Sequence, residues 1–286
     1  MTENKIDPCK NVKALKLAPI GELTGYAHPK CYANKTNNCS TKISREHYIS
    51  NNILANFEEN KVIKIVGLPW LEHDRFHLLS RKKLVANILC TSHNGMLSKL
   101  DSDMGHLFKT LINFDNSFNN DVSESTSITF SGDNLEKWMM KTICGFIAAK
   151  IISKEGTKQE YELNENLIEI LYNDAPLPNG WGLYCSPNDQ TEFFPSISFL
   201  PILSEDELKG AEFLINNIKF YFLLHTPDRP DSFGMHRPMG LQFKDKEVIK
   251  TIEFCWENKA YGDGLFFDRV GTKPNAPSDW EEYLRK

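Results

Sequence analysis

Two widely separated pairs of metal-ligating side chains constrain this chain more than any other feature. Cys31 and Cys39 form the first pair, with seven residues between them, and Cys90 and His93 form the second, spaced C-x-x-H. A structural Zn2+ ion takes four ligands in a tetrahedron, commonly thiolates with or without an imidazole. If these four share one ion, residues 51–89 become an insertion stapled at its base, and ion binding contributes directly to folding. Asn34, Asn37 and Asn38 suit a tight turn inside the first pair. His93 opens a stretch with helical apolar spacing (Met96, Leu97, Leu100, Met104, Leu107, Phe108), so a helix is expected over 93–110.

The remaining cysteines give the setting. The seven thiols are odd in number and spread from Cys9 to Cys255, which argues against a disulfide framework and for a reducing, cytoplasmic location. Cys144, Cys185 and Cys255 lie in apolar or aromatic stretches and read as small buried hydrophobes. The net charge of -5 excludes a uniformly basic, polyanion-coating surface but leaves room for a local basic cleft. Lys61, Lys64, Arg75, Arg81, Lys82, Lys83 and Lys99 supply such a lean around the ligand pairs. No apolar run is long enough to span a membrane, and the first residues lack the apolar core of a signal peptide.

The fold class expected is α+β. After a lead-in of 1–25, a zinc-braced module covers 26–111, with a short helix in NNILANFEE and a strand in KVIKIVGLPW. Residues 112–126 are polar and rich in Asn and Ser, and read as a domain boundary or long surface loop. An α+β domain over 125–286 follows. In it a central helix over 135–149, capped by Asp133 or Asn134, packs on a mainly antiparallel sheet, with a second helix over 164–172. Turns are expected at 186–190, 207–210 and 226–235, and at Asn216-Asn217.

A second constellation lies beside the ligand pairs. Glu46 and Asn94 could hold a hard divalent ion, Mg2+ or Mn2+, through oxygen. His47 has the basicity to deprotonate a water aimed at a phosphorus. Adjacent strand residues point to opposite faces, so both Glu46 and His47 can serve one site only if the strand bulges. Asp101 could brace the site by a hydrogen bond, and His106 and Lys99 could contact substrate. His73 and His77 share a helical ligand spacing but lack a partner pair. Arg229, His236 and Arg237 read as a loop near the active face or a simple turn.

The segments HPKCYAN, KISREHYIS and LCTSHNGMLSKLD together resemble the HNH, or His-Me finger, nuclease superfamily, and a group of uncharacterised bacterial proteins carrying that module. The resemblance covers residues 29–108. It implies a ββα-metal core braced by zinc, with His47 as general base, Glu46 in a place often held by Asp, and Asn94 as ligand of the catalytic ion. His93 stands where many members have a second cysteine. The chain departs from the pattern in three ways: Leu84 stands at the place of the middle Asn, with Asn87 out of register, Ser50 replaces a common Pro, and the insertion is longer than usual. By resemblance the protein is expected to cut nucleic acid, DNA rather than RNA, in a phage-defence or mobile-element setting. Two other readings stand beside this one. The first is a non-catalytic, zinc-braced nucleic-acid binder. The second is a scaffold whose C-terminal part oligomerises or binds a protein partner.

Overall fold

Two long helices, Thr91–Phe118 and Gly132–Ala148, carry the architecture. In this computed structural model, residues 9–17, 22–72, 75–118, 124–152, 161–186, 196–204, 207–257 and 263–268 are described. Strand β1 (Ile43–His47) pairs antiparallel with β4 (Val85–Cys90), and α2 (Thr91–Phe118) starts on the residue after β4. Between β1 and β4 lie α1 (Asn51–Leu54), a 3-10 turn Ala55–Phe57, the antiparallel pair β2 (Ile63–Ile65) and β3 (His77–Leu79), and a 3-10 turn Arg81–Lys83. Ser44 faces Leu89 while Glu46 faces Ala86. The extra residue of the irregularity therefore lies on β4, at Asn87 and Ile88, and not on β1.

Helix α2 corrects the expected boundary loop. Its 28 residues continue to Phe118, because Leu107, Leu111 and Phe114 extend the buried stripe past the polar stretch, and Phe114 meets Phe243 edge-on at 6.3 Å. Strand β5 (Thr126–Ser131) was not expected at all; it leads directly into α3 (Gly132–Ala148). The cap of α3 is Ser131, whose hydroxyl accepts from the Asn134 N–H at 3.2 Å, not Asp133 or Asn134. The extended end of β5 is what places that hydroxyl over the first turn. Helix α4 (Glu165–Tyr172) is the helix expected over 164–172, with Asn164 as its cap.

Two four-stranded sheets flank α3. In the first, β6 (Gly182–Ser186), β7 (Ile197–Ser204), β8 (Glu207–Ile215) and β9 (Ile218–Leu223) lie in the antiparallel order β6-β9-β8-β7. Asn216 and Asn217 form its two-residue hairpin turn with φ of 49° and 66°, the left-handed pair such a turn requires. Residues 207–210, expected as a turn, belong to β8. The second sheet contains β10 (Pro238–Asp245), β11 (Val248–Cys255) and β12 (Asp263–Asp268) in the order β12-β10-β11-β5. It is mixed: β10 and β11 are antiparallel, but β12 and β5 add in parallel at the edges. The antiparallel expectation thus holds for one sheet and fails for the other, where β5 comes from the far side of α3.

One continuous buried cluster runs from Leu17 through α2, α3 and α4 to Leu265. Cys144 and Cys185 are buried free thiols, as expected, but Cys9 and Cys255 are joined in a disulfide. The lead-in is strapped across the start of α3, where Leu15 N–H donates to Asn134 Oδ1 at 2.7 Å and Ala14 N–H to Glu257 Oε1 at 2.9 Å. That strap carries Cys9 to the end of β11, a long-range approach that spacing alone cannot reveal. No helix among the described residues is long and apolar enough to cross a membrane.

Candidate metal centre

Three segments deliver the four ligands. A 3-10 turn at Asn34–Thr36, closed by Asn37 in the left-handed region at φ 52°, folds Cys31 back towards Cys39. Tyr32 N–H bonds the Ile88 carbonyl at 2.9 Å, which ties this knuckle to β4. Cys90 ends β4 and His93 sits in the first turn of α2. That turn is seated by the Ser40 hydroxyl, which accepts from Ser92 N–H at 3.1 Å.

The four donor atoms lie within 4.8 Å of one another and all four residues are buried. His93 Nδ1 is 3.2 Å from Cys90 Sγ, 3.5 Å from Cys31 Sγ and 3.7 Å from Cys39 Sγ. A zinc tetrahedron with Zn–S of about 2.3 Å and Zn–N of about 2.0 Å has edges of about 3.5–3.8 Å, so the set fits. The tautomer fits as well. Thr36 Oγ1 donates its proton to the Ala33 carbonyl at 2.8 Å, so at 2.9 Å it accepts from His93 Nε2–H, leaving the Nδ1 lone pair facing the sulfurs. The Tyr172 ring packs edge-on against His93 at 4.9 Å and closes the site from α4.

Electrostatics point the same way. Burial pushes the Cys31 and Cys39 thiols up against the backbone hydrogen bonds that lower them, and the charge of Cys90 adds to the rise. Burial also raises Cys90, but hydrogen bonds led by those of His93 and Ser40 outweigh it and bring this thiol below its ordinary value. Burial lowers His93 to about 4, so its imidazole is neutral at neutral pH. Three buried thiols cannot all ionise side by side without a cation among them, and a thiolate-preferring ion such as Zn2+, with the neutral imidazole as fourth ligand, meets that demand. Thr36→Val should weaken zinc retention about 10–100-fold in a chelator competition, and Thr36→Ser should restore it.

The second constellation is arranged differently from its sequence reading. Glu46 is buried, and its Oε1 lies 2.6 Å from Nζ of Lys141, a buried residue of α3. Lys141 also donates to Asp101 of α2, at 3.0 Å to Oδ1 and 3.3 Å to Oδ2. The Ser50 hydroxyl donates to Asp101 Oδ1 and accepts from the Trp138 indole N–H at 2.8 Å. Burial opposes both charges. Burial raises the Glu46 carboxyl against the pull of Lys141, while Glu46 and Asp101 together carry the Lys141 ammonium above its ordinary value against burial. An ammonium thus stands against the carboxylate that its sequence offers to a divalent ion.

Asn94 donates from Nδ2 to Ser44 Oγ at 2.6 Å, two residues before Glu46 on the same face of β1. His47 is half-buried, and strand alternation sets it on the other face with Arg45, whose guanidinium donates to the Lys82 carbonyl at 2.9 Å. Burial, reinforced by Lys141 and Arg81, lowers the His47 pKa and keeps the ring neutral. His106 is exposed and packs edge-on against Phe130 at 5.4 Å, while Lys99 is exposed on α2.

The other candidate positions are structural or remote. His77 contacts the Glu72 carbonyl at 3.1 Å, and His73 lies outside the described residues. His236 forms a backbone bridge with Cys185, and Arg237 donates to the Trp181 carbonyl at 2.7 Å beneath the sheet edge. The sequence reading missed Lys141, Ser50, Trp138 and Thr36. A signal existed for the first: a lysine inside the apolar run WMMKTICGF, on a helix expected to be central, needs a buried carboxylate partner.

The geometry defines an α+β protein with a buried Cys3His metal cluster. No family model, curated protein or solved structure matches the chain.

Proposed function

We propose that this protein is a metal-braced, nucleic-acid-associated binder. The observation that carries the reading is the buried Cys31, Cys39, Cys90 and His93 cluster, which braces the base of the insertion. Support for a nucleic-acid partner comes from the insertion's surface. Lys61, Lys64, Lys82 and Lys83 are exposed there, and exposed Arg45 on β1 donates to the Lys82 carbonyl. Trp70 is half exposed beside Tyr48, with ring centroids 6.1 Å apart, and offers a face for a base. Lysines of this kind position a phosphate backbone without reading sequence. DNA is the first partner to test. In fluorescence anisotropy, log affinity should fall with log salt, and Lys82→Ala with Lys83→Ala should reduce that slope by about 2. Salt-independent or undetectable binding to single- and double-stranded DNA and RNA would contradict the proposal.

The second reading is HNH-type hydrolysis of a phosphodiester with Mg2+ or Mn2+. It is supported by the order β1, β4, α2 around the ligand cluster and by a neutral, half-buried His47 that can take a proton. Against it stands the engagement of Glu46 by Lys141. Incubation with plasmid, single-stranded DNA and RNA plus Mg2+ or Mn2+ tests it. Cutting by the wild type that disappears in His47→Ala would favour hydrolysis over binding alone.

A further inference from the structure

Three elements from distant parts of the chain converge on one ammonium. Glu46 comes from β1, Asp101 from α2 and Lys141 from α3. Lys141 and Glu46 are almost completely enclosed, and Asp101 is only partly open, its side chain 22% exposed. The ammonium lies 2.6 Å from Glu46 Oε1 and 3.0 Å from Asp101 Oδ1. Glu46 Oε1 makes no well-aligned hydrogen bond, so its contact with Lys141 is chiefly Coulombic. Asp101 Oδ1 also accepts from the Ser50 hydroxyl, itself fixed by Trp138. Asn52 donates to the Asp101 carbonyl at 2.6 Å. Two inward-facing carboxylates with their supports in place form the oxygen-rich setting that divalent ions take.

We infer that Lys141 is the resident cation of the Glu46 and Asp101 carboxylates, so that the chain neither holds nor needs a divalent ion there. A single protonated amine from α3 satisfies both carboxylates and joins the N-terminal module to the central helix. A second cation entering between them would meet the ammonium at close range with little water to screen it. The same contact ties the module to α3 without a second, oxygen-ligated ion beside the zinc cluster. The inference concerns the interior only and does not depend on nucleic-acid binding.

The test is a Mn2+ titration of zinc-loaded full-length protein, with free Mn2+ read by electron paramagnetic resonance. The wild type and Lys141→Arg should show no saturable Mn2+ site. Lys141→Ala should gain one Mn2+ per chain, lost again when Glu46→Gln is added. A wild-type site that disappears in Glu46→Gln alone would overturn the inference, and so would a folded, zinc-retaining Lys141→Ala protein that takes up no Mn2+. If Lys141→Ala does not fold, the comparison of wild type with Glu46→Gln still decides. Anisotropy with labelled oligonucleotides on the same preparations reads the binding proposal separately.

Discussion

Cys90→Ser should take bound zinc from one ion per chain to a small fraction and lower the thermal midpoint by about 10–20 °C. Cys90 is the hinge of the cluster. It ends β4, precedes α2, and its sulfur accepts from the Ser40 N–H at 3.4 Å and the His93 N–H at 3.5 Å. A serine hydroxyl is a poor ligand for an ion chosen by thiolates, so the cross-link between the knuckle and the start of α2 is lost. If the ion contributes about 5 kcal/mol to folding, a domain of this size shifts by about 2–4 °C per kcal/mol. The damage should spread to α4, since Tyr172 packs on His93. Elemental analysis with calorimetry measures both effects. Cys144→Ala, at a buried thiol outside the cluster, should leave the zinc content unchanged.

Lys141→Met should destabilise the fold by about 3–5 kcal/mol in urea unfolding, because it leaves Glu46 and Asp101 without their counter-charge. The methionine stem refills much of the volume, so the cost is electrostatic rather than a packing loss. Adding Glu46→Gln should recover part of it, since a neutral amide is far less costly to bury than an unpaired carboxylate. Lys141→Met and Lys141→Met with Glu46→Gln that unfold alike would show that packing, not charge, sets the penalty. The effect should be larger than any from exposed pairs such as Lys35 with Glu165, which solvent screens.

These two sites show what the amino-acid order reveals and what it hides. Cys31, Cys39, Cys90 and His93 were legible because the identity of a ligand set, more than its exact spacing, announces a cation. The Asn216-Asn217 turn and the short helix near 164–172 were legible because each is decided within a few residues. Non-local effects were not. Polar residues at 112–118 read as loop, yet Phe114 and its buried neighbours hold them in α2. TSITFS became β5 only because β11 accepts a parallel neighbour there. The Cys9 and Cys255 disulfide depends on the lead-in being strapped over α3. The Glu46 ion pair was hidden because its partner lies ninety-five positions away, in a helix whose lysine resembles any other charge until it is buried.

Zinc-edge X-ray absorption on the protein as purified tests the central claim most directly. A first shell of three sulfurs at about 2.3 Å and one nitrogen at about 2.0 Å is predicted. A shell of oxygen and nitrogen alone, or well-folded protein with no zinc bound, would contradict it.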